Sequence, residues 1–193
     1  GHYDDDSSGG GSDNAVVTTL SSSAAGMITY QLHTVLSADQ ANVYALAGTA
    51  DTTLTMPAAF QVAAPFGTDV GGVSPAFFAV NADAEFDSWL TVGVTDGSQA
   101  SALSTIGLGL DTWSVSSGIS ANNGAVFWMN PADGPGGTDP ICLAQVTVPA
   151  GTDVSASGVL QGRSASGIDW SAPIMWSTAG GDDLDAGVYP FCF

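Results

Sequence analysis

Short runs that alternate apolar and polar side chains, cut at nearly every junction by Gly or Pro, constrain this chain more than any other feature. An extended backbone points successive side chains to opposite faces, so such runs bury one face and leave the other polar. The clearest lies in PAFFAVNADAEFDSWLTVGVTDG, residues 75–97. There Phe86, Ser88, Leu90, Val92 and Val94 fall on one face, and Asp87, Trp89, Thr91, Gly93 and Thr95 on the other. The pattern predicts a strand over residues 86–95, preceded by a short buried strand at 76–80. Residues 27–36 alternate likewise, with Ile28, Tyr30, Leu32 and Leu36 opposite Thr29, Gln31 and His33. Further strands are expected at residues 43–47, 53–56, 59–62, 110–115, 125–129, 141–148, 154–160 and 168–176. Asp96-Gly97, Asn123-Gly124 and Asp133-Gly134 supply turns between them, and only residues 99–105 have helix-compatible composition. The spacing implies an all-β chain: an antiparallel β-sandwich, jelly-roll or Ig-like, of about 8–11 strands.

A chain of 193 residues fits one sandwich domain, assigned to residues 26–193. Residues 1–14, GHYDDDSSGGGSDN, are too polar to offset their own ordering entropy and read as a flexible acidic tail. Residues 15–25 hold a β-prone segment, AVVTTL, followed by SSSAAG. Val16, Val17, Thr19 and Leu20 thus form a strand on a tether. It serves either as the first strand of its own sheet or as an extended N-terminal arm that adds to the open sheet edge of a neighbour.

One Arg, no Lys and 19 acidic residues give a net charge of -18, which excludes nucleic acid and anionic membrane surfaces as partners. Without lysine there is no isopeptide cross-link, Schiff base or P-loop chemistry. No apolar run is long enough to span a membrane. Arg163, the single fixed cation, is expected to pair with a carboxylate in the core or at an interface. Cys142 and Cys192 are the two cysteines, and CxxC spacing is absent. A bridge between them would close a loop of about 50 residues and stabilise the fold by about 4 kcal/mol; two separate thiols are the alternative. The chain does not begin with Met, which suits a processed, secreted protein, and the expected location is extracellular or cell-surface.

Catalytic equipment is sparse. His33 is the only internal histidine and no G-x-S-x-G elbow occurs, so a serine triad is not expected. Glu85 with Asp87 is the pair that acid catalysis would use. Asp83, Glu85 and Asp87 alternate, so on an extended segment all three would converge on one hard cation, Ca²⁺; a solvated acidic loop is the plainer reading. No cofactor is required. Asp182 with its neighbours, and Asp133 with Asp139, are secondary acidic groups, and His2 reads as a tail residue. Trp89, Trp113, Trp128, Trp170 and Trp176 serve either as core or as a platform for sugar rings.

The segments NVYALAG, MPAAFQVAAPFG, VGGVSPAFFAV, EFDSWLTVGVTDG, NNGAVFWMNPADGP and CLAQVTVPAG resemble a secreted domain found in extracellular and cell-surface proteins of algae and water moulds. That resemblance, over residues 43–162, implies a place outside the cell and no reaction. The tethered arm also resembles subunits of extracellular filaments built by strand addition. The leading expectation is therefore a non-enzymatic subunit of a filament or matrix, a homo-oligomer or helical polymer. The alternative is a secreted, lectin-like carbohydrate-binding module that takes glycans with Ca²⁺ or a Trp platform.

Overall fold

The computed structural model describes residues 11–179. Its eleven strands are β1 (Ala15–Thr19), β2 (Met27–Thr34), β3 (Gln40–Gly48), β4 (Leu54–Met56), β5 (Trp89–Leu90), β6 (Leu103–Ile106), β7 (Ile119–Ala121), β8 (Gly124–Trp128), β9 (Ile141–Pro149), β10 (Ser155–Ser164) and β11 (Asp169–Ser177). They form an all-β sandwich of two antiparallel sheets. One has four strands in the order β1-β2-β9-β5. The other has seven: the path β6-β8-β3-β10-β4-β7, with β11 along β10.

The alternation read from the sequence sets the core. Tyr30 and Leu32 of β2, Leu90 of β5 and Val146 and Val148 of β9 meet Leu46, Val126, Leu160, Ile174 and Trp176 from the larger sheet in one apolar cluster. Trp176 is fully buried, and its Nε1 donates to the carbonyl of His33 at 2.8 Å, tying β11 to β2 across the sandwich. In the β2–β9 ladder Leu32 pairs with Ala144 but His33 with Cys142, so Leu143 is an extra residue. This bulge turns both Leu143 and Ala144 to the core and leaves Cys142 on the opposite face.

Gly48 stands where two backbones nearly touch. A Cβ there would lie 1.8 Å from the Ala121 carbonyl oxygen and 2.7 Å from the Leu54 nitrogen. Neither backbone can yield as a side chain would, so Gly48→Ala is expected to lower stability by about 3 kcal/mol in urea unfolding.

Several expected strands are absent. Residues 76–80 make no strand: Pro75–Phe77 is a 3-10 turn, and Val80 is 71% exposed. Proline at its first position suits a helical start and cannot donate to a ladder. Residues 59–62 and 110–115 are also irregular, the latter entering through the 3-10 turn Leu110–Thr112. Residues 99–105 divide between the 3-10 helix Gly97–Ala102 and β6. The predicted strand 86–95 shrinks to Trp89–Leu90. Leu90, Val92 and Val94 are nevertheless buried, because the chain continues along β9: the amides of Thr91 and Gly93 donate to the Leu143 and Cys142 carbonyls. Gly93, at φ 79, then turns it away.

Candidate functional site: the covered sheet face and the arm beside it

In the four-stranded sheet the face opposite the core carries Thr29, Gln31 and His33 from β2, and Cys142, Gln145 and Thr147 from β9. All six are buried. A polar face becomes buried here because the excursion between β4 and β5, residues 57–88, folds back over it. Two side-chain relays run across the strands. In the first, Ser23 Oγ, Thr29 Oγ1 and Thr147 Oγ1 stand 2.7 Å apart in succession, and Thr147 Oγ1 donates to the Phe86 carbonyl at 2.6 Å. That last bond commits Thr147's only proton, so Thr29 donates to Thr147 and Ser23 to Thr29. In the second, Gln31 Nε2 donates to Gln145 Oε1 at 3.0 Å, and Gln145 Nε2 donates to the carbonyls of Glu85 and Asp87 at 3.0 and 2.8 Å. Gln31 Oε1 accepts no hydrogen bond among the described residues. A buried acceptor left in that state costs about 1–3 kcal/mol.

The acidic triplet does not form the expected ion site. The expectation assumed an extended segment, but Ala82–Phe86 is a 3-10 helix, capped where the Asn81 side chain accepts from the Asp83 amide. Helical winding separates residues that a strand would align. Asp83 and Glu85 are exposed, whereas Asp87 is fully buried. Its oxygens are engaged: Oδ1 accepts from the Val62 amide at 2.8 Å and Oδ2 from the Thr68 amide at 2.7 Å. The two exposed carboxylates and the buried one thus lie in different environments, and the three are not brought together as an extended segment would align them. Among the described residues no three His, Cys, Asp or Glu side chains gather in a metal-binding group. Burial pushes the Asp87 carboxyl up to about 7, aided by the charge of Asp69 and opposed by the amides of Val62, Thr68 and Ser88. Asp69 is itself raised, first by burial and then by Asp111.

The arm residues lie at the sheet edge. β1 pairs antiparallel with β2, from Ala15 opposite Thr34 to Thr19 opposite Tyr30. Ala15 and Val17 pack against the core, while Thr18 Oγ1 meets His33 Nε2 at 3.2 Å on the covered face. Val16, Thr19 and Leu20 are half-buried. Residues 12–14, read from composition as flexible tail, are clasped to β11. The Ser12 amide donates to the Met175 carbonyl at 2.9 Å, the Met175 amide to Ser12 Oγ at 2.9 Å, and Asn14 Nδ2 to the Pro173 carbonyl at 3.3 Å. Residues 12–19 thus close the seam where β2 of one sheet approaches β11 of the other.

Arg163 lies neither in the core nor deep in a cleft. Its Nε is 3.4 Å from Asp169 Oδ1, the cross-strand partner on β11, with both side chains about half exposed or more (48% and 67%). A pair so hydrated contributes about 0–1 kcal/mol. Of the five Trp residues, Trp89, Trp113 and Trp176 are buried, and Trp128 and Trp170 are half-buried. Trp113, Trp128, Trp170 and Trp176 each spend the indole N–H on a backbone carbonyl. Cys142 is buried; Cys192, the Asp182 group and His2 lie outside the described residues.

Beside the polar face, a pocket of about 110 Å³ opens between the end of the arm and the covering turns, with Leu20, Gln31, Phe78, Glu85 and Trp89 in its lining. A shallower depression of about 300 Å³, bordered by Phe66 and Phe77, has no charged side chain in its lining. Sequence reasoning missed both the pocket and the glutamine relay. The signal available was β9, whose Gln145 and Thr147 interrupt an otherwise apolar run.

These features define the class: an all-β sandwich with a covered polar face and a seam closed by its first strand. No family model, no curated protein and no solved structure matches the chain. The resemblance to secreted algal and water-mould domains accordingly rests on the quoted segments alone.

Proposed function

We propose that this protein is a structural subunit of an extracellular filament or matrix, in which β1 passes to the seam of a neighbouring copy. The supporting observation is the placement of β1. It is an edge strand, bonded to β2 and flanked by the Ser12 and Asn14 contacts to β11, and joined to the body only through residues 20–26. Exchange of such a strand between identical copies preserves every contact it makes, so little free energy opposes it beyond the change in the hinge. Seven hinge residues reach about 25 Å when extended, which limits the distance between a donor body and its acceptor seam. The net charge of -18 opposes close packing of copies, so assembly is expected to speed up as salt screens the surfaces. Arg163, half exposed on β10 between β3 and β11, is the chain's single Lys or Arg and is placed to meet a neighbour's carboxylates with positive charge.

A register-matched cross-link tests this reading. Ala15 and Thr34 face each other across β1 and β2. They form a non-hydrogen-bonded pair, since the bonds to Asn14 and Leu20 fall on the alternate positions. In the variant Ala15→Cys with Thr34→Cys, oxidation before assembly is expected to trap monomers that no longer polymerise. Oxidation after assembly is expected to give 15–34 bridges between chains, identified by mass spectrometry. Bridges found only within chains of an intact polymer would refute strand exchange.

A further inference from the structure

We propose that the pocket at the end of the arm binds a small organic ammonium, its apolar body against Trp89 and Phe78 and its N–H groups directed to Gln31 and Glu85. Three independent features converge there. The lining is largely apolar, with Leu20, Val73, Phe78 and Trp89 among its members. Gln31, also in the lining, is 2% exposed and carries an amide oxygen that accepts nothing among the described residues. The exposed Glu85 contributes a carboxylate.

The orientation of Gln31 is imposed rather than chosen. Because Gln145 spends its Nε2 on the Glu85 and Asp87 carbonyls, it can only offer Oε1 to Gln31. Gln31 must then present its own Nε2, which leaves its Oε1 as a fixed acceptor awaiting a donor. An acceptor, a carboxylate and aromatic faces together favour a donor-rich cation over a neutral or anionic ligand. Size restricts the ligand further. A cavity of about 150 Å³ holds benzene, so about 110 Å³, open on one side, takes one ring or a short alkyl chain with its head group at the rim. The chain contains no lysine, so a lysine of a second copy is not the source of the ammonium. Leu20, Ser21 and Ser22 of the lining belong to the hinge, so the site is that of a chain whose β1 lies on its own β2, and its test needs no assembly.

Benzylamine is the test ligand, followed by NMR on the isotope-labelled full chain at neutral pH and physiological salt. Saturable shifts are expected at residues 20–22, Gln31 and Trp89. Benzyl alcohol should bind about threefold more weakly, as should benzylamine to Glu85→Gln, the effect of one exposed ion pair. Benzoate should not bind. Gln31→Met should weaken binding about tenfold. Ser22→Trp alters an exposed rim position and should block the pocket in a chain that folds normally. Absence of saturable shifts, equal binding by benzoate, or full binding by the folded Ser22→Trp chain would each overturn the proposal. Equal affinity of Glu85→Gln for benzylamine would overturn its ammonium preference.

Discussion

Asp87→Ala is expected to lower stability by about 3–5 kcal/mol in urea unfolding, the largest effect of any single polar substitution in this fold. The carboxylate holds the amides of Val62 and Thr68, two donors in the segment that covers the four-stranded sheet. Removing it leaves both part-buried amides without their acceptor, at about 1–3 kcal/mol each, and opens a small void as well. The same residue should make stability depend on pH. Its carboxyl titrates near 7 in the folded chain and near 3.8 in the unfolded one. Between those values the folded state binds the extra proton, so stability falls as pH rises from about 4 to about 7 and levels off above. Relief of repulsion among the other acids acts in the same direction. Asp87→Asn separates the two contributions: it keeps one acceptor, cannot ionise, and should flatten the slope over that window. An unchanged slope in Asp87→Asn would assign the pH dependence to the surface charge alone.

Deletion of residues 1–25 is expected to abolish assembly and also to weaken the isolated body. The truncated chain loses the five-residue ladder to β2 and the clasp on β11. It also loses the burial of Ala15 and Val17 against the core. Together these should cost about 3 kcal/mol or more. A synthetic peptide of residues 11–24 should bind the truncated body in trans and restore its unfolding midpoint, because the strand needs no covalent link to fill the seam. Peptide carrying Val17→Asp should not, since that side chain faces the core. Normal polymerisation of the truncated chain would refute the arm reading. A truncated chain as stable as the full one would show that β1 contributes nothing to the fold.

The strands were legible wherever a run faced both the core and a polar layer. Met27–Thr34, Gln40–Gly48, Gly124–Trp128, Ile141–Pro149, Ser155–Ser164 and Asp169–Ser177 all lie over their predicted segments. Period-two alternation reports burial, however, not ladder pairing. Leu90, Val92 and Val94 were read correctly as core while the strand assigned to them was too long. The acidic triplet failed for a related reason. Asp83, Glu85 and Asp87 look equivalent in sequence, yet a local 3-10 helix leaves two in water and carries the third under the covering segment.

The sequence by itself determined the all-β class, the alternating core and the presence of a short tethered strand at residues 15–20, because each follows from side-chain order along an extended backbone. It also determined the net charge of -18. Only the tertiary structure decided that a polar sheet face is buried, that Asp87 joins that layer as a buried anchor, and that residues 12–19 close the seam between the sheets. Those outcomes depend on which distant segment covers which face. Residues 57–88 lie far in sequence from β2, and no local periodicity records that they fold back over Gln31 and Gln145.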